Sequence, residues 1–170
     1  LFARVGRTYS PISGVEVKRH HVSDVVKHVT SLKEGSKILI TCPFPSTGWS
    51  LEQDLSILDQ KGFSRIKHNG EIIRIPDVDL NIVSDKKKIS LVLDRLIVKL
   101  DDDDFENRIA DSVQTAFYEG NGTCFIEHID SDDKAKFSNL FEADGISFEK
   151  PTLHLFSFNN PYGACPKCEG

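Results

Sequence analysis

The sequence predicts an α+β fold: a mixed β-sheet with about three helices packed mainly on one face, plus a small β-rich flanking subdomain. Three observations lead there. Three stretches carry apolar residues at helical spacing between recognisable starts and stops. At least five strand-like runs lie between and after them. The pair Asn69-Gly70 sits between two short β-prone runs, the preferred chemistry of a tight hairpin turn. Helices interleaved with strands in this way bury their apolar stripes against one side of a sheet.

Taken in order, residues 1–14 read as a strand followed by a turn. Ser23 is placed to cap a first helix running to about Leu32, with Val25, Val26, Val29 and Leu32 on one side and Gly35 as its stop. Residues 37–42 form a strand, and the loop 43–49 carries two prolines and a glycine. Ser50 and Gln53 make a capping box for a second helix, whose stripe is Leu51, Leu55 and Leu58 and whose end is Gly62. Counting outward from Asn69-Gly70 sets His68 opposite Glu71, Lys67 opposite Ile72, Ile66 opposite Ile73 and Arg65 opposite Arg74. Directly opposed residues share a face. Ile66, Ile73 and Ile75 are therefore expected to be buried, and Arg65, Lys67 and Arg74 to form an exposed basic patch.

Residues 89–100 form a long strand whose apolar positions do not alternate cleanly, which predicts burial on both faces or a bulge. The four aspartates 101–104 lead a third helix with the stripe Phe105, Ile109, Val113, Ala116 and Phe117. Acids at a helix start suit its dipole, so this cluster is read as a helix start and not as a metal site. Asn121-Gly122 ends the helix, residues 123–129 form a strand and residues 131–134 a polar turn. Short strand-like pieces follow. His20 and His21 are adjacent and so diverge; both are expected on the surface. Trp49, in the Pro/Gly loop, is expected as a lid over the local core, with a partner anchor as the alternative.

The chain has 170 residues and a net charge of −5, which argues against a broad nucleic-acid-binding surface. No apolar run approaches a membrane span, and no signal peptide is expected. Cys42 and Cys124 are isolated in apolar runs, while Cys165 and Cys168 form a Cys-x-x-Cys knuckle. That is not a secreted disulfide framework, and a reducing, cytoplasmic setting is expected. The chain has no Met, begins at Leu1 and stops two residues past the knuckle, so a piece of a longer protein is expected. No Gly-x-x-x-x-Gly-Lys-Ser/Thr phosphate loop occurs in it.

Several motifs point further. Phe2-Ala3-Arg4-Val5-Gly6, Gly62-Phe63-x-Arg65, Gly70-Glu71, Asp85-Lys86-Lys87-Lys88, Val92-x-Asp94-Arg95-Leu96 and Arg108-x-Ala110-Asp111-Ser112 occur in that order, and the chain closes on a run from Phe156 through Pro161-Tyr162-Gly163 to Cys165-Pro166-Lys167-Cys168. Together they resemble the UvrA family, the ATPase subunits of the bacterial excision-repair nuclease. The resemblance spans nearly the whole chain. It implies that residues 15–140 are a UvrB-binding domain inserted in the first ATP-binding module, and that residues 1–14 and 141–170 belong to the adjoining signature-type domain. It further implies UvrB as partner, and possible use of the same surface by the transcription-repair coupling factor. Damaged DNA would be met only through the complete complex of a homodimeric parent, whose ATP chemistry lies outside this chain.

The resemblance also assigns Arg65 and Arg95 to the partner-binding surface, with Lys67 and Arg74 beside them. In the family the Cys165/Cys168 knuckle is half of a four-cysteine zinc site. Here the partner positions are Phe141 and Asp144, and a second Cys-x-x-Cys near the start is replaced by Ser10 and Ser13. Structural zinc takes four ligands, so two reduced thiols and no bound metal are expected. The competing reading of the chain is an autonomous zinc-knuckle nucleic-acid-binding domain, which would need a complete ligand set and a basic stripe. No nucleophile–base signature marks the chain as an enzyme.

Overall fold

The computed structural model describes residues 7–83, 85–131, 133–143 and 146–148. The chain forms two compact units, one spanning His20–Asn139 and the other made of Leu1–Arg19 with Leu140–Gly170.

The larger unit runs α1 (Val22–Thr30), β1 (Lys37–Pro43), α2 (Leu51–Gln60), β2 (Arg65–His68), β3 (Glu71–Arg74), β4 (Ile89–Ile97), α3 (Asp103–Glu119), β5 (Thr123–His128) and β6 (Lys134–Ser138). The six strands form one sheet in the order β3-β2-β4-β1-β5-β6. The α+β class is as expected, but every pairing is antiparallel, where a mixed sheet was anticipated. The reason is topological. Strands β1 and β2, joined through α2, are parallel to each other but β4 lies between them. Strands β4 and β5, joined through α3, are likewise separated by β1. Two interleaved split β-α-β units result, a ferredoxin-like arrangement extended by β3 and β6.

Local chemistry accounts for the helix boundaries. Helix α2 starts at the expected capping box: the Gln53 N–H donates to Ser50 Oγ at 3.2 Å and the Ser50 N–H to Gln53 Oε1 at 3.3 Å. Helix α3 is capped by Asp102, whose Oδ1 accepts from the Asp104 N–H at 3.1 Å. Helix α1 begins earlier than predicted. Its N-cap is His21, whose N–H donates to Asp24 Oδ2 at 2.8 Å, and Ser23 lies inside the first turn. His20 is half-buried, against expectation. Its N–H donates to the Ser138 carbonyl at 2.7 Å, and its ring meets Phe137 edge-on at 5.3 Å.

One contiguous core joins Val25 and Val29 of α1, Leu55 and Leu58 of α2 and all five predicted stripe residues of α3 to one face of the sheet. That face presents Ile38, Ile40 and Cys42 of β1, Ile66 of β2, Leu91 and Leu96 of β4 and Ile126 of β5. Leu39, Thr41 and Val92 are also buried but point to the opposite face, outside this core. Cys42 and Cys124 are buried thiols, and burial pushes each pKa up to about 12.

In the smaller unit Tyr9 and Glu16 form an isolated bridge around a turn at residues 10–14, and β7 (Glu142–Ala143) pairs with β8 (Ile146–Ser147). The turn expected to follow a strand in residues 1–14 is present at residues 10–14, while residues 1–6, where most of that strand would fall, lie outside the described part. No helix among the described residues is long and apolar enough to cross a membrane.

Candidate protein-docking surface

The site begins with the hairpin. Asn69 and Gly70 both have positive φ, 49° and 90°, as a type I′ turn requires. The pairing is the predicted one, Arg65↔Arg74, Ile66↔Ile73 and Lys67↔Ile72. Ile66 and Ile75 are buried, and Arg65 and Arg74 are exposed. Because Ile66 belongs to the helix-covered core, Arg65, Lys67, Ile72 and Arg74 stand on the other face.

Arg95 reaches that same face through a bulge. Val92 pairs with Thr41, but Asp94 pairs with Ile40, so Leu93 is the extra residue. With strict alternation Arg95 would have faced Ile38 and the core. The extra residue reverses the alternation, and Arg95 pairs with Leu39 on the uncovered face. The bulge turns Asp94 toward the helices instead. There its carboxylate accepts from Arg108 Nε at 2.7 Å and Nη2 at 2.8 Å, and from Ser112 Oγ at 3.4 Å. Arg95 also borders a cavity of about 350 Å³ lined by Lys99, Asp102, Phe105 and Arg108.

The centre of the uncovered face is held by an acid that sequence reasoning passed over. Glu127 of β5 is 4% exposed. Its carboxylate accepts from Thr41 Oγ1 at 2.8 Å, from Lys134 Nζ at 3.0 Å, and from Lys67 Nζ in a short ion pair. Burial opposes the charged form, but these three donors outweigh it and hold the Glu127 pKa below its ordinary value. Lys67 comes from β2, with β4 and β1 intervening, so its long side chain bridges the face across two strands to reach Glu127. A groove of about 300 Å³, lined by Lys67, Asn69, Lys88, Ser90, Glu127 and Lys134, runs along this face. Glu127 falls where alternation with Cys124 and Ile126 places an outward polar residue, so nothing in the local pattern of 123–129 marked it.

Of the predicted docking residues, the structure therefore brings Arg65, Lys67, Arg74 and Arg95 to one face. It separates them by state. Lys67 is engaged by Glu127, whereas Arg65, Arg74 and Arg95 have no ion pair or hydrogen-bonded side-chain partner among the described residues.

A second buried acid shapes the neighbouring loop. Asp54 is 1% exposed and accepts from Lys86 Nζ and from the Thr47 hydroxyl. Lys86 Nζ also donates to the Trp49 carbonyl, pinning the loop to α2 and to the 3₁₀ turn Lys86–Lys88. Trp49 itself is 63% exposed, so it is not the lid over the core that the loop suggested. Its backbone is held while its ring is left in solvent.

Cys165, Cys168 and Asp144 lie outside the described residues. Phe141, which is described, has a side chain without a donor atom, so the four positions Phe141, Asp144, Cys165 and Cys168 supply two thiols and at most one carboxylate where zinc takes four ligands. This donor set does not fit the family's zinc site.

By fold the larger unit is an α+β module of ferredoxin-like arrangement, with helices on one face of an antiparallel sheet and, on the other, arginines without an ion-pair partner among the described residues. Residues 21–130 match the UvrA interaction domain. Over its whole length the chain is 34% identical to UvrABC system protein A of Staphylococcus aureus (strain Mu50 / ATCC 700699), across 172 aligned residues covering 18% of that relative. The UvrABC system protein A of Mesorhizobium japonicum is 34% identical over 192 residues, 19% of its length, and that of Brucella abortus 33% over 193 residues, 20% of its length. The chain belongs to the UvrA family and carries its interaction domain. It spans about a fifth of the length of the curated relatives it matches.

Proposed function

We propose that this chain is the docking module through which a UvrA protein engages UvrB in bacterial nucleotide excision repair. On this reading residues 15–140 are the inserted interaction domain, and residues 1–14 and 141–170 belong to the adjoining signature-type domain. ATP hydrolysis and damage recognition reside in the parent ATPase, a cytoplasmic protein, and not in this piece. The transcription-repair coupling factor is the second candidate for the same surface.

The observation that carries the reading is the convergence of Arg65, Arg74 and Arg95, exposed and without an ion-pair partner among the described residues, on the sheet face that the helices leave uncovered. Arginine suits such a surface because its planar fork pairs with carboxylates at two points and sheds water more readily than an ammonium. Acidic groups on UvrB are its complement.

Calorimetric titration with UvrB tests this. Truncating one partner of a desolvated charge pair costs about 2–5 kcal/mol, whereas a rim charge costs far less. The Arg65→Ala/Arg95→Ala variant should bind at least about tenfold more weakly, a loss of about 1.4 kcal/mol. It should stay folded, since exposed arginines contribute little to stability. Unchanged affinity in the folded variant would move the docking surface elsewhere, first to the Trp49 loop.

A further inference from the structure

Strand register gathers Lys37, Arg65, Lys67, Arg74, Arg95, Lys134 and Lys136 on one face, Lys37 lying 3.9 Å from the Asp130 carboxylate beyond the end of β5. At the described strand positions of that face Glu127 is the one acid. A face with that many free cations would be a general trap for polyanions, because phosphate backbones bind through cation number and not through shape. The cations here are not all free. Glu127 takes Lys67 from one side and Lys134 from the other, with the Thr41 hydroxyl as a third donor. Lys134 is further tied by its Nζ, which lies 3.9 Å from the centre of the Phe125 ring.

We propose that Glu127 is a specificity-determining residue of this face: it withholds Lys67 and Lys134 from solvent anions, so that the sheet binds nucleic acid only weakly and the three arginines, with Lys136, remain for a protein partner. Two features favour this over a merely structural ion pair. A carboxylate on a sheet floor carries a desolvation penalty that Thr or Val at the same position would avoid. And Glu127 does not neutralise the arginines at all; it ties up the two lysines, which lowers the number of cations that a phosphate backbone could meet on this face.

The inference concerns the surface assigned to UvrB above, but its readout needs no UvrB, so either can fail alone. Fluorescence anisotropy with a short duplex DNA oligonucleotide, followed across a KCl titration, measures it on the 170-residue chain. Glu127→Gln should bind DNA at least about tenfold more tightly at low salt. Its log–log salt dependence should steepen by up to about 2, since each newly available cation adds about 0.9. Adding Lys67→Gln and Lys134→Gln to Glu127→Gln should return both quantities to those of the parent chain. A folded Glu127→Gln variant with unchanged affinity and slope would overturn the proposal, as would a gain that survives in the triple variant. Should Glu127→Gln not fold, two double variants of equal charge change decide the matter with Glu127 in place. Arg65→Gln/Arg74→Gln should weaken residual DNA binding more than Lys67→Gln/Lys134→Gln. An equal or larger loss from the lysine pair would refute the withholding role.

Discussion

Arg65 and Arg74 stand directly opposite each other on β2 and β3, both exposed, with no acid bridging them among the described residues. Like charges in directly opposed positions destabilise an antiparallel pair, by a share of the roughly 0.2–1 kcal/mol that such pairs carry. A strand pair optimised for stability alone would not place them so. Arg74→Thr should therefore raise the melting temperature slightly at low ionic strength while weakening UvrB binding. Added salt screens the repulsion, so the stability gap between variant and parent should narrow as KCl rises. A variant that is less stable at every ionic strength would show that the opposed pair carries no strain.

Asp54 predicts an acid limb in the stability profile. Burial disfavours its charge, but hydrogen bonds from Lys86 and Thr47 prevail and its pKa is lowered. The unfolded chain then takes up this proton at higher pH than the folded one. The stabilisation is full above the unfolded value, near pH 4, and is lost as pH falls through the folded value. Glu127 acts in the same direction. Asp54→Asn should cost about 2–3 kcal/mol at neutral pH, less than a fully buried pair because Lys86 keeps a quarter of its exposure. Urea unfolding at stepped pH should show the variant losing less stability below about pH 4 than the parent.

Trp49 is the only tryptophan and is 63% exposed. Its fluorescence in the folded chain should be quenched by acrylamide nearly as readily as in urea. Trp49→Ala should change stability by less than about 0.5 kcal/mol, the usual range for surface positions. A strongly protected indole would restore the lid reading of this loop.

Gly120 is held by space and not by backbone angle. A Cβ there would lie 2.4 Å from the Thr123 carbonyl oxygen, 2.6 Å from Cys42 Cβ and 2.7 Å from the Ala116 carbonyl oxygen. Two of those are backbone atoms that cannot rotate away. Gly120→Ala should cost about 1–3 kcal/mol by overpacking, seen as a lower urea midpoint with an unchanged slope.

What the sequence determined by itself was local. The Ser50/Gln53 box, the Asn69-Gly70 turn and the α3 stripe each depend on residues a few positions apart, so short-range chemistry sufficed to place them. The same turn set the hairpin register, and with it the shared face of Arg65, Lys67 and Arg74. The N-cap of α1 was misplaced by two residues because Asp24 makes a local back-bond that competes with the one Ser23 suggests. Tertiary structure decided the rest. Insertion of β4 between β1 and β2 made the sheet wholly antiparallel, and strand order over long separations leaves no mark in a local pattern. The orientation of Arg95 depended on one bulged residue, Leu93, because a period of two reverses with a single insertion. The capture of Lys67 by Glu127, sixty positions apart in the chain, exists only because the strand order β2, β4, β1, β5 places both side chains on one face within reach of each other.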